Sequence, residues 1–141
     1  MDKCVKDVMS KDIIAVLPSD TAAEAARLMK EHNIGVIPVV SAGKIQGMIT
    51  DRDIALRCVA GSKDATKTKA SDIMTTQIAT VSPDQSVNDA INTMSQSHVS
   101  RLPVVNSGCI DGIISFADVA KCGCNDMEIA KALCESCTLD K

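Results

Sequence analysis

The chain has 141 residues, enough for one ordinary domain or for two small units sharing a core. With 45% hydrophobic and 23% charged residues and a net charge of −3, it can bury a core without staples and has no general attraction for nucleic acid or an anionic membrane surface. Phe116 is the single aromatic residue, which excludes the stacking platforms of single-strand nucleic-acid binders and leaves an aliphatic core.

No apolar run approaches the roughly 20 residues of a membrane span, and residues 1–9 carry charges where a signal peptide has an apolar centre. The chain therefore reads as cytoplasmic, with neither nucleic acid nor membrane as a partner. Seven cysteines is an odd number, and an aliphatic core needs no disulfides, so the thiols are expected to be mostly reduced.

Residues 5–9 suggest a short helical turn, and residues 13–17 a short strand stopped by Pro18. Thr21 opens a helix: Thr21-Ala-Ala-Glu24 has capping-box spacing, and Ala22, Ala25, Ala26 and Met29 recur as one apolar face. Asn33 and Gly35 end that helix by tolerating left-handed backbone. Residues 36–40 form a strand containing Pro38, residues 41–44 a glycine-containing turn, and residues 45–50 a second strand, which together make a hairpin. A helix over 51–59 closes this unit. Residues 61–69 are polar, with no large apolar side chain, and read as a linker.

The same order then returns, with a turn at 70–74, a strand at 78–81, and a helix over 86–97 opened by Ser86-Val-Asn-Asp89. Strands near 102–105 and 110–115 and a helix from Phe116 complete it. An amphipathic helix is expected over 125–137, with Met127, Ile129, Ala130, Leu133 and Cys134 on its apolar face, packing across the module or against another subunit.

The return is an internal duplication, in register without a gap at a spacing of 65 residues. Pro18 falls on Pro83, Ala25 on Ala90, Met29 on Met94, and Pro38-Val39-Val40 on Pro103-Val104-Val105. The central pair is Gly47-Met-Ile-Thr-Asp-Arg-Asp53 and Gly112-Ile-Ile-Ser-Phe-Ala-Asp118. In each copy a strand feeds a helix start, and a hydroxyl residue is followed three positions later by a carboxylate. Met with once, that spacing is a capping box. Its free N–H groups also suit an anion, and its carboxylate can accept hydrogen bonds from a diol; repetition in register favours this ligand reading.

The double pattern of strand, helix, two strands and helix, with Asn33-Ile-Gly-Val-Ile-Pro-Val-Val40 and the two central motifs, resembles a tandem CBS-domain pair, the Bateman module, of stand-alone type. The resemblance covers residues 5–121. It implies an α/β (α+β) fold of two pseudo-symmetric β-α-β-β-α repeats packed through their sheets. The division expected is repeat 1 over 1–60, a linker over 61–69, repeat 2 over 70–121, and a C-terminal helix and cysteine-containing tail over 122–141. The resemblance also implies clefts that bind adenosine compounds of the AMP, ADP and ATP class, with S-adenosylmethionine or NAD as further candidates. Modules of this family often pair into discs of four repeats, so a homodimer acting on an unidentified downstream protein is expected.

Carried over by position, Gly47, Thr50 and Asp53 match the family's ribose-phosphate motif in the first repeat, with Asp51 and Arg52 between them. Gly112, Ser115 and Asp118 match it in the second. Adenine would lie near Ile13, Ile14, Ala15, Val36, Ile37 and Pro38 in one cleft, and near Ile78, Ala79, Thr80, Arg101, Leu102 and Pro103 in the other. Arg101 stands where several nucleotide-binding members carry a phosphate-contacting Arg; its counterpart in the first repeat is Val36, so two unequal sites are expected. His98 lies close enough in sequence to join Arg101 on a phosphate, although a solvated helix-end role is the simpler one. Phe116 takes the place of Asp51, as a packing residue or a cover for base or ribose.

Cys122-Gly-Cys124 and Cys134-Glu-Ser-Cys137 offer four thiolates of the kind that hold zinc or an iron-sulfur cluster. The intervening helical pattern would set the pairs roughly 15 Å apart, so no metal is assigned and no cofactor is required. The sequence presents no catalytic constellation, and no enzyme activity is expected. The competing readings are a dimerisation module with empty clefts and a thiol-based metal or redox sensor.

Overall fold

The computed structural model describes residues 3–121. The helix expected over 125–137 and the four C-terminal cysteines lie outside the described residues. In chain order the elements are α1 (Val5–Val8), α2 (Ala22–His32), β1 (Val36–Ser41), β2 (Lys44–Thr50), α3 (Asp51–Asp53) continuing as a π-helical stretch (Ile54–Val59), α4 (Ala70–Ile73), α5 (Val87–Ser97), β3 (Arg101–Asn106), β4 (Cys109–Ser115) and α6 (Phe116–Lys121). They form a mixed α/β fold of two repeats with antiparallel strand pairing.

The elements gather into two compact units, a central one over Ile14–Ile78 and a split one whose described residues are 3–13 and 79–121. These spatial units are offset from the sequence repeats, because each repeat's opening segment packs with the body of the other. In the split unit, Val5 N–H donates to Gln85 O at 2.8 Å, Lys6 N–H to Pro83 O at 3.0 Å, and Val87 N–H to Lys3 O at 3.0 Å. The central unit makes the same bonds with α4: Ala70 N–H to Asp20 O at 2.7 Å, Ser71 N–H to Pro18 O at 3.1 Å, and Ala22 N–H to Thr68 O at 2.8 Å. Ala22 and Val87 are the first residues of α2 and α5, whose N–H groups have no acceptor inside their own helices.

The stretch expected to be a linker, 61–69, also makes packing contacts. Ala23 N–H donates to Ala65 O at 3.0 Å, Ala65 packs against the central core, and Thr68 is buried. Side-chain caps match the sequence signals, with Thr21 Oγ1 accepting from Glu24 N–H at 3.1 Å and Ser86 Oγ from Asp89 N–H at 3.0 Å. Both helices end on left-handed residues, Asn33 with φ 53° and His98 with φ 58°. Gly35, expected to share that role, is not left-handed; a Cβ there would lie 3.0 Å from Asp51 Oδ2.

The hairpins pair β1 with β2, aligning Val36 with Thr50, and β3 with β4, aligning Arg101 with Ser115. Their turns, Ala42-Gly43 and Ser107-Gly108, have positive φ at both residues, matching the twist of the flanking strands. The short strands expected at 13–17 and 78–81 reduce to one bridged residue each, Val16 parallel to Val39 and Val81 parallel to Val104. Val16 N–H donates to Pro38 O at 3.1 Å and Val40 N–H to Val16 O at 2.9 Å, so Pro38 serves the sheet through its carbonyl. The helix expected over 51–59 changes pitch after Asp53, and Ala60 N–H reaches back five residues to Ala55 O at 2.8 Å.

The central core is built on Ala22, Ala25, Met29, Ile37, Ile49 and Ile73, and the split unit's core on Val5, Ile91, Met94, Leu102, Ile114 and Val119. Phe116 belongs to the latter, which fulfils its packing role. Among the described residues no helix is long and apolar enough to cross a membrane.

Candidate functional site

Each central motif places its hydroxyl residue and carboxylate where a strand runs straight into a helix. The glycine comes first in the pattern because another segment crosses the strand there. Thr75 N–H donates to Met48 O at 2.8 Å and Met48 N–H to Thr75 O at 2.9 Å, and a Cβ on Gly47 would sit 2.7 Å from Thr75 O. In the split unit Ser10 and Ile113 exchange bonds of 2.8 and 2.9 Å, and a Cβ on Gly112 would sit 2.7 Å from Ser10 O. Both glycines thus have a packing reason that is independent of any ligand.

The boxes themselves are closed. Asp53 N–H donates to Thr50 Oγ1 at 2.9 Å, and Thr50 N–H to Asp53 Oδ2 at 3.0 Å. Asp118 N–H donates to Ser115 Oγ at 3.2 Å and Ser115 N–H to Asp118 Oδ2 at 2.9 Å, with the Ser115 hydroxyl also donating to that oxygen at 3.1 Å. The helix starts are tied to the residue ahead of the first hairpin strand through Asp51 N–H to Gly35 O at 2.9 Å and Phe116 N–H to Ser100 O at 3.1 Å.

The surroundings of the two carboxylates differ. Asp53 is 8% exposed, and the Thr75 hydroxyl lies 3.2 Å from each of its oxygens. Arg57 Nε is 3.8 Å from Asp53 Oδ1, while Arg57 Nη1 donates to Ile73 O at 3.2 Å and to Met74 O at 3.1 Å. Asp118 is half-buried, and among the described residues its Oδ1 has no hydrogen-bond partner. Ser10, the counterpart of Thr75, instead accepts the Asp12 N–H at 3.3 Å, and the counterpart of Arg57 is Cys122. Sequence reasoning did not single out Thr75 or Arg57. The usable signal was the repeated pair Met9-Ser10 and Met74-Thr75, each a methionine before a hydroxyl.

The central unit holds Gly47, Thr50, Asp51, Arg52, Asp53, Ile14, Ala15, Val36, Ile37, Pro38 and Ile78. Ala79, Thr80, His98, Arg101, Leu102, Pro103, Gly112, Ser115 and Asp118 belong to the split unit, and Ile13 falls with them rather than with Ile14. Ile37 and Leu102 are core residues, 0% and 1% exposed, so their side chains face the core; Ile14, Ala15, Val36 and Ala79 are half-buried. Arg101 is half-buried directly across the hairpin from Ser115, and among the described residues its guanidinium has no hydrogen-bond or ion-pair partner. Arg52 is exposed, and its N–H donates to Asp51 Oδ1 at 2.8 Å. His98 is exposed at the left-handed end of α5. Among the described residues no group of three or more His, Cys, Asp or Glu could hold a metal ion.

The CBS domain model matches the chain twice, over residues 5–59 and 70–123. The chain is a tandem CBS-domain pair. It is 44% identical over 116 residues to the CBS domain-containing protein YhcV of Bacillus subtilis, covering 82% of each chain. It is similar in structure to Hypoxic Response Protein I, solved with two coordinated zinc ions, at TM-score 0.78 and 30% identity over 84% of this chain and 98% of that one. It is also similar to the CBS domain pair of protein MJ0100, solved with 5'-methylthioadenosine and S-adenosyl-L-methionine, at TM-score 0.74 and 31% identity over 87% of this chain and 97% of that one.

Proposed function

We propose that this CBS pair is a regulatory module that binds adenosine-containing compounds of the AMP, ADP and ATP class, with S-adenosylmethionine and NAD as related candidates. The observation that carries this reading is the Ser115–Asp118 box: among the described residues it leaves one carboxylate oxygen without a partner, and Arg101, across the hairpin from Ser115, has none either. A carboxylate accepts hydrogen bonds from both hydroxyls of a ribose, and a guanidinium fits a phosphate with paired donors. The adenosyl ligands of the similar MJ0100 pair support the nucleoside part of the reading. The two motif copies would bind unequally, since Arg101 has Val36 as its counterpart.

No catalytic step is proposed; the response would be a shift between arrangements that the ligand binds with different affinity. The chain would act as a homodimer upon a downstream protein. Ala55, Leu56 and Val59 on the π-helical stretch are exposed apolar residues, with Leu56 53% and Val59 67% exposed, and would suit such an interface. Calorimetry with AMP, ADP, ATP, NAD and S-adenosylmethionine tests the reading. Binding below millimolar that is lost in Asp118→Ala is expected. A dimer of unchanged size that ignores every compound would instead favour a dimerisation module.

A second reading rests on the zinc ions of the similar Hypoxic Response Protein I and on the Cys122, Cys124, Cys134 and Cys137 set, which lies outside the described residues. Elemental analysis of anaerobically purified protein, with Cys134→Ser and Cys137→Ser controls, decides it: thiol-dependent zinc supports this reading, and metal-free protein removes it.

A further inference from the structure

The two CBS motifs have the same backbone and different carboxylates. The crossing segments superimpose bond for bond: Thr75 bridges Met48 with bonds of 2.8 and 2.9 Å, and Ser10 bridges Ile113 with the same lengths. What differs is the side chain that the crossing segment presents. Thr75 directs its hydroxyl at both oxygens of Asp53, whereas the Ser10 hydroxyl accepts a backbone N–H from its own loop. Asp53 is thereby engaged on both oxygens: Thr50 N–H on one, the Thr75 hydroxyl shared between both, and the Arg57 guanidinium 3.8 Å from Oδ1. Arg57 is itself held by the last carbonyls of α4, Ile73 O and Met74 O, so it joins the same segment that carries Thr75.

A diol binding Asp53 would compete with these partners, and a displaced hydroxyl or guanidinium would need new ones. Asp118 presents no such cost among the described residues. We infer that Thr75, supported by Arg57, occupies the first repeat's motif carboxylate as a structural tie between α3 and the segment after α4, and so confines adenosine-ligand binding to the second repeat. Thr75 and Arg57 are then specificity-determining residues that never touch the ligand. The β-branched threonine fits this role, because its side chain is stiff at χ1 and holds the hydroxyl on the carboxylate.

The inference rests on the proposed ligand reading for its binding consequence but has a separate, ligand-free readout. The experiment uses the full chain as Asp53→Ala, Thr75→Val, Asp53→Ala/Thr75→Val, and Arg57→Gln/Thr75→Val. Thermal melts are expected to show Asp53→Ala and Thr75→Val each lowering Tm by about 2–5 °C, with the Asp53→Ala/Thr75→Val protein no lower than the worse single variant. Titrations with S-adenosylmethionine and ATP are expected to give one site per wild-type chain and a second, weaker site in Arg57→Gln/Thr75→Val. Additive losses of Tm, or no loss on Asp53→Ala, would overturn the tie. A wild-type chain with two sites, one of them lost in Asp53→Ala, would overturn the confinement. If no protein binds either compound, the ligand reading fails, while the melts still decide whether Thr75 and Asp53 are coupled.

Discussion

The box at Thr50–Asp53 and the box at Ser115–Asp118 carry the same pattern and offer a ligand different chemistry. In the central unit the carboxylate is 8% exposed and engaged by a hydroxyl from the crossing segment. In the split unit the carboxylate is half-buried, and among the described residues one of its oxygens has no partner and neither has the guanidinium of Arg101, which lies across the hairpin from Ser115. The device that starts a helix is thus the same in both copies, while the groups around its carboxylate differ: a hydroxyl from the crossing segment and a guanidinium meet Asp53, and among the described residues neither has a counterpart at Asp118. A motif match identifies both copies equally; only the side chains that approach the carboxylate distinguish them.

The largest effect expected from breaking this comparison is on binding. Asp118→Ala removes charge-assisted hydrogen bonds to the diol and should weaken adenosine ligands roughly 10- to 100-fold by calorimetry. Next come the glycines that admit the crossing segments. Gly47→Ala and Gly112→Ala each place a Cβ 2.7 Å from a backbone carbonyl oxygen, and denaturant melts should show a loss of about 1–3 kcal/mol in either unit.

Arg101→Gln sharpens the chemistry of the available copy. It should weaken ATP and ADP roughly fivefold to tenfold and leave 5'-methylthioadenosine, which has neither phosphate nor carboxylate, unchanged. Helix caps provide a control in which the two units should agree: Thr21→Ala and Ser86→Ala should each cost about 1 kcal/mol.

The smallest effect belongs to the exposed Lys6–Asp84 pair, whose hydrogen bond raises the Lys6 pKa above its ordinary 10.5. Its contribution is fully present below 10.5 and disappears as pH climbs through the raised value. With both ends in solvent, Asp84→Asn should leave Tm at pH 7 unchanged within error.

Most elements were legible because local chemistry and the apolar pattern agree. Thr21, Ser86 and Asn33 act as the caps their residue types suggest, and Ala22, Ala25 and Met29 of the apolar face of α2 are buried, with Ala26 half-buried. His98 holds a left-handed cap that its residue type does not announce; its position 65 residues after Asn33 does. The offset between sequence repeats and spatial units was not legible. Val5 and Ala70 look like the start of their own repeats, and only long-range bonds to Gln85 and Asp20 reveal where they pack. Polar composition made residues 61–69 resemble a spacer, although the carbonyls of Ala65 and Thr68 serve the start of α2. At the site, the hydroxyl and carboxylate spacing gave both boxes, but the partner of Asp53 lies 22 residues away at Thr75 and is invisible to local pattern.

The most direct test of two like boxes with unlike availability is titration of S-adenosylmethionine and ATP into Asp53→Ala and Asp118→Ala alongside the wild-type chain. Binding should persist in Asp53→Ala and weaken roughly 10- to 100-fold in Asp118→Ala, with the larger loss of Tm in Asp53→Ala, whose carboxylate also holds the Thr75 hydroxyl. Binding lost in Asp53→Ala and retained in Asp118→Ala would contradict the assignment.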